Sequence, residues 1–365
     1  MITARRPLRL GAALLALCLP LMACSDDGGG SASSTTEGDT DVTLIQEGNL
    51  LSAIQERGTL RCGTRDALPG FAVLTPEGDH VGFDADFCRV IAAAILGDAE
   101  AVEFVDLATE ARFTALQSGE IDVLVRNTTW TAGRDGSESA TFLQPTFYDG
   151  QGMMVAADSG FQSLEDMDGA SICVAAGTTT EGNVANEFTR LGIAAAEVLS
   201  FPEVELIQEA FLAGRCDGWS SDVSQLTGLR SEFPDGPDAL RILEDVFSKE
   251  PLAPAVADGE TELAQAVEWA IFATIQAEEF GIDTTNIGDF TNSDDPNIRT
   301  FLGTSEEGGV FDPGLGLPAD FAVQVITQVG NYAEIFEEHL TPLGLERGVN
   351  RLWSDGGLLY APPYR

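Results

Sequence analysis

Between residues 59 and 126 short apolar runs of strand type alternate with runs of helical spacing, and the alternation starts again at residue 152. A chain written this way has few folds open to it. Strands joined through helices lie mainly parallel, and the helices cover both faces of the sheet. In the first run residues 59–64 read as a strand and a hairpin turns around Pro76-Glu77-Gly78. Residues 84–96 read as a helix, because Phe83, Phe87, Ile91 and Ile95 recur about every fourth position before Gly97. A strand over 101–105, a helix over 110–118 and a strand over 121–126 follow. The second run gives strands over 152–156, 171–175, 198–201 and 217–220, with helices over 182–191 and 204–213. Ser248-Lys249-Glu250-Pro251 reads as the path back to the first half, ahead of helices over 262–280 and within 321–340. The pattern predicts an α/β protein of two halves, each a mainly parallel sheet flanked by helices.

The first residues predict export. Arg5, Arg6 and Arg9 precede an apolar run that ends Leu21-Met22-Ala23-Cys24. A basic start, a short apolar core and a small residue before the cut describe a secretory signal over residues 1–23. The run falls short of the roughly 20 apolar residues that span a bilayer. Cys24 after Leu-Met-Ala matches a lipobox, in which the thiol receives a diacylglycerol, so a membrane anchor is expected at Cys24. Ordinary cleavage beside an incidental cysteine is the alternative. Residues 24–43 are mostly Gly, Ser, Thr, Asp and Glu, a composition that buries no core and suits a flexible tether.

The formal charge is −40, with 59 acidic against 19 basic residues. Such a field disfavours nucleic acid and anionic lipid as partners. Cys62, Cys88, Cys173 and Cys216 remain beyond the signal and the lipobox, and no CxxC occurs. An even set outside the cell favours disulfides over zinc. Of the three pairings possible, Cys62 with Cys88 and Cys173 with Cys216 keeps each bridge within one half; free buried thiols are the alternative. His80 and His339 stand alone in the sequence and read as surface residues. No metal or organic cofactor is expected.

The candidate ligand residues follow the strands. Arg134 lies just past the strand over 121–126, and ligands of open α/β sheets bind beyond the carboxyl ends of strands. Its guanidinium matches a carboxylate bidentately, with Asn127, Thr128 and Thr129 beside it. A surface loop residue is the competing reading. Gly177-Thr178-Thr179-Thr180 opens a helix whose free N–H groups favour an anion; Thr there equally suits a simple helix cap. Asp222, after the strand over 217–220, can accept from an ammonium, although in so acidic a chain it can equally be solvated. Phe71 and Trp130 are candidate apolar walls or core residues. An Arg and an Asp in separate halves are the pair that grips a zwitterion.

Longer motifs sharpen the reading. Gly82-Phe83-Asp84-Ala85-Asp86-Phe87 and Leu116-Gln117-Ser118-Gly119-Glu120-Ile121-Asp122 resemble the type II solute-binding proteins of polar-amino-acid ABC transporters. Arg126-Asn127-Thr128-Thr129-Trp130-Thr131, Tyr148-Asp149-Gly150-Gln151-Gly152, Ala176-Gly177-Thr178-Thr179-Thr180-Glu181 and Leu352-Trp353-Ser354-Asp355-Gly356-Gly357 are similar to the general L-amino-acid-binding branch. The likeness runs over residues 51–365. It implies a two-lobed type II periplasmic-binding-protein fold with a two-segment hinge near Gly150 and Pro251. Lobe 1 would take residues 44–149 and 251–365, and lobe 2 residues 150–250. It also implies that Arg134 holds the α-carboxylate and Asp222 the α-ammonium. Thr129 and Thr179 would contact the ligand's common backbone, with Asn127 and Thr178 beside them.

The function implied is that of a lipid-anchored, extracytoplasmic receptor. It would capture L-amino acids with broad specificity and deliver them to ABC permease subunits. An amino-acid sensor for a membrane partner is an alternative. A dehydratase acting on cyclohexadienyl acids is a weaker one, since no His or Glu stands at the expected site as a general acid.

Overall fold

The computed structural model describes residues 48–304 and 309–365. The signal over 1–23, Cys24 and the tether up to 43 lie outside the described residues. Within them the repeated pattern becomes two five-stranded sheets. The first has the spatial order Val102–Asp106, Leu60–Thr64, Val123–Leu124, Ala255–Ala257, Ala140–Phe142. The second runs Glu197–Phe201, Ser171–Ala175, Gly218–Asp222, Gln151–Ala156, Leu240–Ile242. In each sheet one strand opposes the other four: Ala255–Ala257 in the first and Gln151–Ala156 in the second. Both reversed strands are the ones the chain enters on crossing from the other lobe. A crossing segment arrives without a helix to turn it round, so it pairs antiparallel.

Side chains of the second sheet alternate between two cores, as the two-residue period of a strand requires. Met154, Cys173 and Trp219 join Ile207, Phe211 and Leu226 on one face. Met153, Val155, Ile172 and Val174 join Val184 and Phe188 on the other. The larger core of the first lobe gathers around helix Phe83–Leu96, whose Phe83 and Phe87 are fully buried; Phe83 packs edge-on to Tyr332 and Phe147, and Phe87 lies tilted against Tyr332. Gly97, at φ +72°, ends this helix as expected.

Disulfides join Cys62 to Cys88 and Cys173 to Cys216, each inside one lobe. They close 26- and 43-residue separations. In the chain-entropy account such loops contribute about 3–4 kcal/mol each.

Three expectations are corrected. Residues 321–340 do not form one long helix. Phe321–Gln328 and Tyr332–His339 are separate, because Gly330 takes φ +118° and Asn331 opens a new capping box with Glu334. The strand expected over 121–126 shortens to Val123–Leu124, as the chain bends toward the cleft. The histidines are half-buried and paired: His80 Nε2 lies 2.8 Å from Asp66 and His339 Nε2 2.6 Å from Asp86.

Phe147–Asp149 and Glu250–Leu252 carry the chain between the lobes and pair antiparallel, with Pro251 opposite Tyr148. The last residues return to the first lobe. Tyr364 packs edge-on to Trp269 and Phe301, and Asn350 bonds both backbone groups of Tyr148. Among the described residues no helix is long and apolar enough to cross a membrane.

Candidate functional site

A cleft between the lobes encloses about 400 Å³, its open mouth included. Arg65, Thr109, Arg112, Arg126, Asn127, Thr129 and Arg134 line it from the first lobe. Thr178, Thr179, Thr180, Ser221, Asp222 and Gln225 line it from the second.

Arg134 does not sit in a loop. It belongs to the short helix Ala132–Ser137, where Thr131 is the N-cap and accepts from the Arg134 backbone N–H. Its Nη1 donates to the Thr129 carbonyl at 2.9 Å, which folds the side chain back over the strand end. Its Nη2 reaches the Gly177 carbonyl of the other lobe at 3.4 Å. Arg112 Nη2 donates to the same carbonyl at 3.1 Å. Two guanidinium groups of one lobe therefore close onto one carbonyl of the other. Both stack over Phe113.

Asp222 ends strand Gly218–Asp222 and precedes helix Val223–Ser231. It is 7 % exposed, and no described group donates a hydrogen bond to its carboxylate. Burial raises its pKa well above the usual carboxylate range. The charges of Asp149 and Glu250 push the same way, while Arg134 and Arg112 pull back. A buried carboxylate without donors is costly, and a ligand ammonium removes that cost.

Asn127 holds a left-handed backbone at φ +33°, a conformation a non-glycine residue keeps only when its surroundings enforce it. The enforcing group is Asp84, which is 3 % exposed and accepts from the Asn127 N–H at 2.8 Å. Asn127 Nδ2 donates to Gln225 of the other lobe at 3.2 Å, and its buried Oδ1 has no partner. That acceptor and the Asp222 carboxylate both lie on the cleft without a donor among the described residues.

The Thr run lies before helix Thr180–Leu191. Thr179 does not cap that helix; its Oγ1 donates to Glu250 at 3.1 Å. Thr178 Oγ1 donates to Ala175 O at 2.6 Å and accepts from Thr180 N at 3.3 Å. Gly177 takes φ +69°, and a Cβ there would lie 3.0 Å from Glu110 Cγ across the cleft. Glu250 is 2 % exposed and also accepts from Asn183 and Ser248, so its charge is held by three donors.

The structure thus brings Arg134, Asp222, Thr129, Asn127, Thr178 and Thr179 to one cleft. It does not bring Phe71 and Trp130 there. Phe71 is a core residue packed edge-on to Phe83 and Phe147, and Trp130 is 39 % exposed and stacked on Phe142. Gly150 and Pro251 lie at the two crossing strands. A Cβ on Gly150 would run into Val246.

Three lining arginines are additions. Arg65 follows directly on strand Leu60–Thr64, and Arg126 follows closely on Val123–Leu124. The strand-end rule that singles out Arg134 applies to both. Arg126 is 3 % exposed and fixed by Leu107 O at 2.8 Å and Thr109 Oγ1 at 3.0 Å. Arg112 stands inside helix Arg112–Gln117, where no sequence signal separates it from a surface residue. Its burial lowers its pKa to about 9, helped by the nearby charges of Arg134 and Arg65.

The profile of bacterial extracellular solute-binding proteins, family 3, matches residues 60–281. The general L-amino acid-binding periplasmic protein AapJ of Rhizobium johnstonii is 44 % identical over 318 residues, which are 86 % of this chain and 92 % of that protein. The glutamate/glutamine/aspartate/asparagine-binding protein BztA of Rhodobacter capsulatus is 42 % identical over 86 % and 93 % of the two chains. A periplasmic binding protein from Brucella ovis, solved with glutathione bound, superposes with a TM-score of 0.81 at 41 % identity, covering 86 % of this chain and 99 % of that one.

Proposed function

Because this chain belongs to the bacterial extracellular solute-binding proteins of family 3, we propose that it captures L-amino acids with broad specificity and delivers them to an ABC permease, held at the membrane by a lipid on Cys24. It is a binding protein rather than an enzyme, as its relatives are. In this reading Arg134 and the N–H groups before helix Thr180–Leu191 take the α-carboxylate. Asp222 and Asn127 Oδ1 take the α-ammonium, and the Thr129, Thr178 and Thr179 groups frame the ligand's backbone. The observation that carries it is the carboxylate of Asp222, nearly buried and without a donor, in the same cleft as Arg134.

Lobe 1 is assigned to residues 44–149 and 251–365 and lobe 2 to 150–250, with the hinge at Gly150 and Pro251. The paired crossing strands support this assignment. Ligand closes the lobes by bridging groups that belong to different ones. Calorimetric titration of the purified protein with a panel of L-amino acids tests the reading. Binding to several of them, lost in Arg134→Ala, is expected. Near-native affinity in that variant would sink the site assignment.

A second reading is capture of a short γ-linked peptide, like the glutathione on the Brucella ovis protein. A further cavity, which shares Arg65 and Arg126 with the cleft, gives room for a ligand longer than one amino acid. Titration with glutathione decides between the two. Uptake into vesicles that contain the permease distinguishes transport from sensing.

A further inference from the structure

The two crossing strands set like charges face to face. In the pairing of Phe147–Asp149 with Glu250–Leu252, Asp149 stands directly opposite Glu250. Like charges opposite one another on paired strands are destabilising. Glu250 is 2 % exposed and Asp149 half-buried. Neither forms an ion pair among the described residues; uncharged donors hold each of them.

Each carboxylate reaches a different half of the ligand clamp. Asp149 accepts from the Ser224 N–H at 3.2 Å, and the Gly150 carbonyl accepts from the Val223 N–H at 2.9 Å. These N–H groups open helix Val223–Ser231, which starts directly after Asp222. They have no partner inside the helix, so the crossing strand fixes the point where Asp222 enters the cleft. Glu250 accepts from Thr179 Oγ1 at 3.1 Å and from Asn183 Nδ2 at 2.8 Å. Both donors belong to the start of helix Thr180–Leu191, where the α-carboxylate is placed. The Asn183 amide also donates to Gln151, which follows Gly150 on the other crossing segment. Neither Asp149 nor Glu250 lines the cleft itself.

We propose that Asp149 and Glu250 are positioning residues of the binding site. Asp149 acts on the ammonium half through the Ser224 N–H, and Glu250 acts on the carboxylate half through Thr179 and Asn183. The proposal rests on the amino-acid reading above and deepens it. The opposed pair is retained against its cost because it ties both gripping elements of the second lobe to the strands about which the lobes turn.

Calorimetric titration of the purified protein at pH 8 with L-glutamate, glutarate and the α-amide of L-glutamate is the test. Asp149, which burial raises to about 6, is ionised there. Glutarate lacks the α-ammonium and the α-amide lacks the α-carboxylate charge, so each comparison with glutamate weighs one half of the clamp. Asp149→Glu and Glu250→Asp keep the charges and shift each carboxylate by one methylene. Asp149→Glu should lower the glutamate-to-glutarate affinity ratio about tenfold and leave the glutamate-to-amide ratio unchanged. Glu250→Asp should do the reverse. Where a charge-preserving variant does not fold, Asp149→Asn and Glu250→Gln replace it. Glu250→Gln removes a negative charge that acts on Arg134. That change of field alone would favour the ligand carboxylate, so a fall in the glutamate-to-amide ratio still reports lost positioning. Ratios that stay unchanged, whether or not all three affinities fall, or that fall together in either variant, overturn the positioning roles while leaving the clamp. Failure of L-glutamate to bind the unmodified protein overturns the amino-acid reading itself.

Discussion

Arg112 Nη2 donates to the carbonyl oxygen of Gly177 at 3.1 Å, so a helix of the first lobe is joined to the loop that opens a helix of the second. Arg134 reaches the same oxygen. The contact is closest where residue 177 has no side chain. Its φ of +69° is left-handed, and Glu110 of the first lobe would stand 3.0 Å from a Cβ. Gly177→Ala is therefore expected to cost about 1–2 kcal/mol of stability from the backbone alone. It should also hold the lobes further apart. Small-angle scattering with saturating ligand should show a less compact particle than the unmodified protein gives. Equal compaction would mean that Glu110 yields and that the contact does not limit closure.

In the proposed reading the ligand's ammonium pairs with an ionised Asp222. Burial beside Asp149 and Glu250 raises the pKa of that carboxyl, so part of the population binds a proton that the ligand must displace. Affinity should fall as the pH falls, and binding should release protons into the buffer at mildly acid pH. Titrations in buffers of different ionisation enthalpy measure that release. Asp222→Asn should weaken binding by about 2–5 kcal/mol and flatten the pH dependence. A variant with the same pH slope as the unmodified protein would place the titrating group elsewhere, with Asp149 next in line.

Much of this arrangement can be read in the chain before it is folded. The alternation of strand and helix periods is local, so both sheets are legible, and so are the disulfide partners once each half is taken as a unit. Arg134, Asp222 and the Thr run are legible because strand ends and helix starts are local features as well. What is not legible is how side chains distribute between cleft and core. Phe71 and Trp130 stand near candidate segments in sequence, but one points into the Phe83 and Phe147 cluster and the other onto Phe142. Arg112 is the reverse case, an arginine at a helix start that lines the cleft and meets the other lobe at Gly177. The break at Gly330 escapes the 3.6-residue period because apolar residues continue through it; only the conformation of one glycine and the Asn331 cap divide the helix.

Asp84 links the cleft to stability. Burial raises its carboxyl to about 7 in the folded protein from 3.8 in the free side chain, although the Asn127 N–H and the charges of Arg126 and Arg65 oppose the shift. Asp149, raised to about 6 by burial, acts in the same direction. A group whose folded value is raised adds stability below its unfolded value and loses it as the pH rises through the folded value. Stability should therefore decline from about pH 4 to about pH 7 and level off above. Urea unfolding at pH 5 and pH 8 should show the decline, and Asp84→Asn should show less of it. Asparagine keeps the acceptor for Asn127 while removing the titration. Identical pH profiles for the two proteins would show that Asp84 stays ionised throughout.

The tail acts on a crossing strand through Asn350, which is 3 % exposed. Its Oδ1 accepts from the Tyr148 N–H at 2.7 Å and its Nδ2 donates to the Tyr148 carbonyl at 3.0 Å. One side-chain amide thus supplies both bonds that a neighbouring strand would have given. The tail is itself anchored, since Arg347 donates to the Asn350 carbonyl and to both oxygens of Glu278. Asn350→Ala leaves a donor and an acceptor of strand Phe147–Asp149 without partners, and should cost about 1–3 kcal/mol in urea unfolding. Asn350→Asp keeps the acceptor but sets a buried carboxylate oxygen against the Tyr148 carbonyl, so it should cost at least as much. Because that strand runs directly into Gly150, the alanine variant should also bind ligand more weakly while the cleft residues stay unchanged. Full stability in both variants would show that water replaces the amide and that the tail does not brace the crossing.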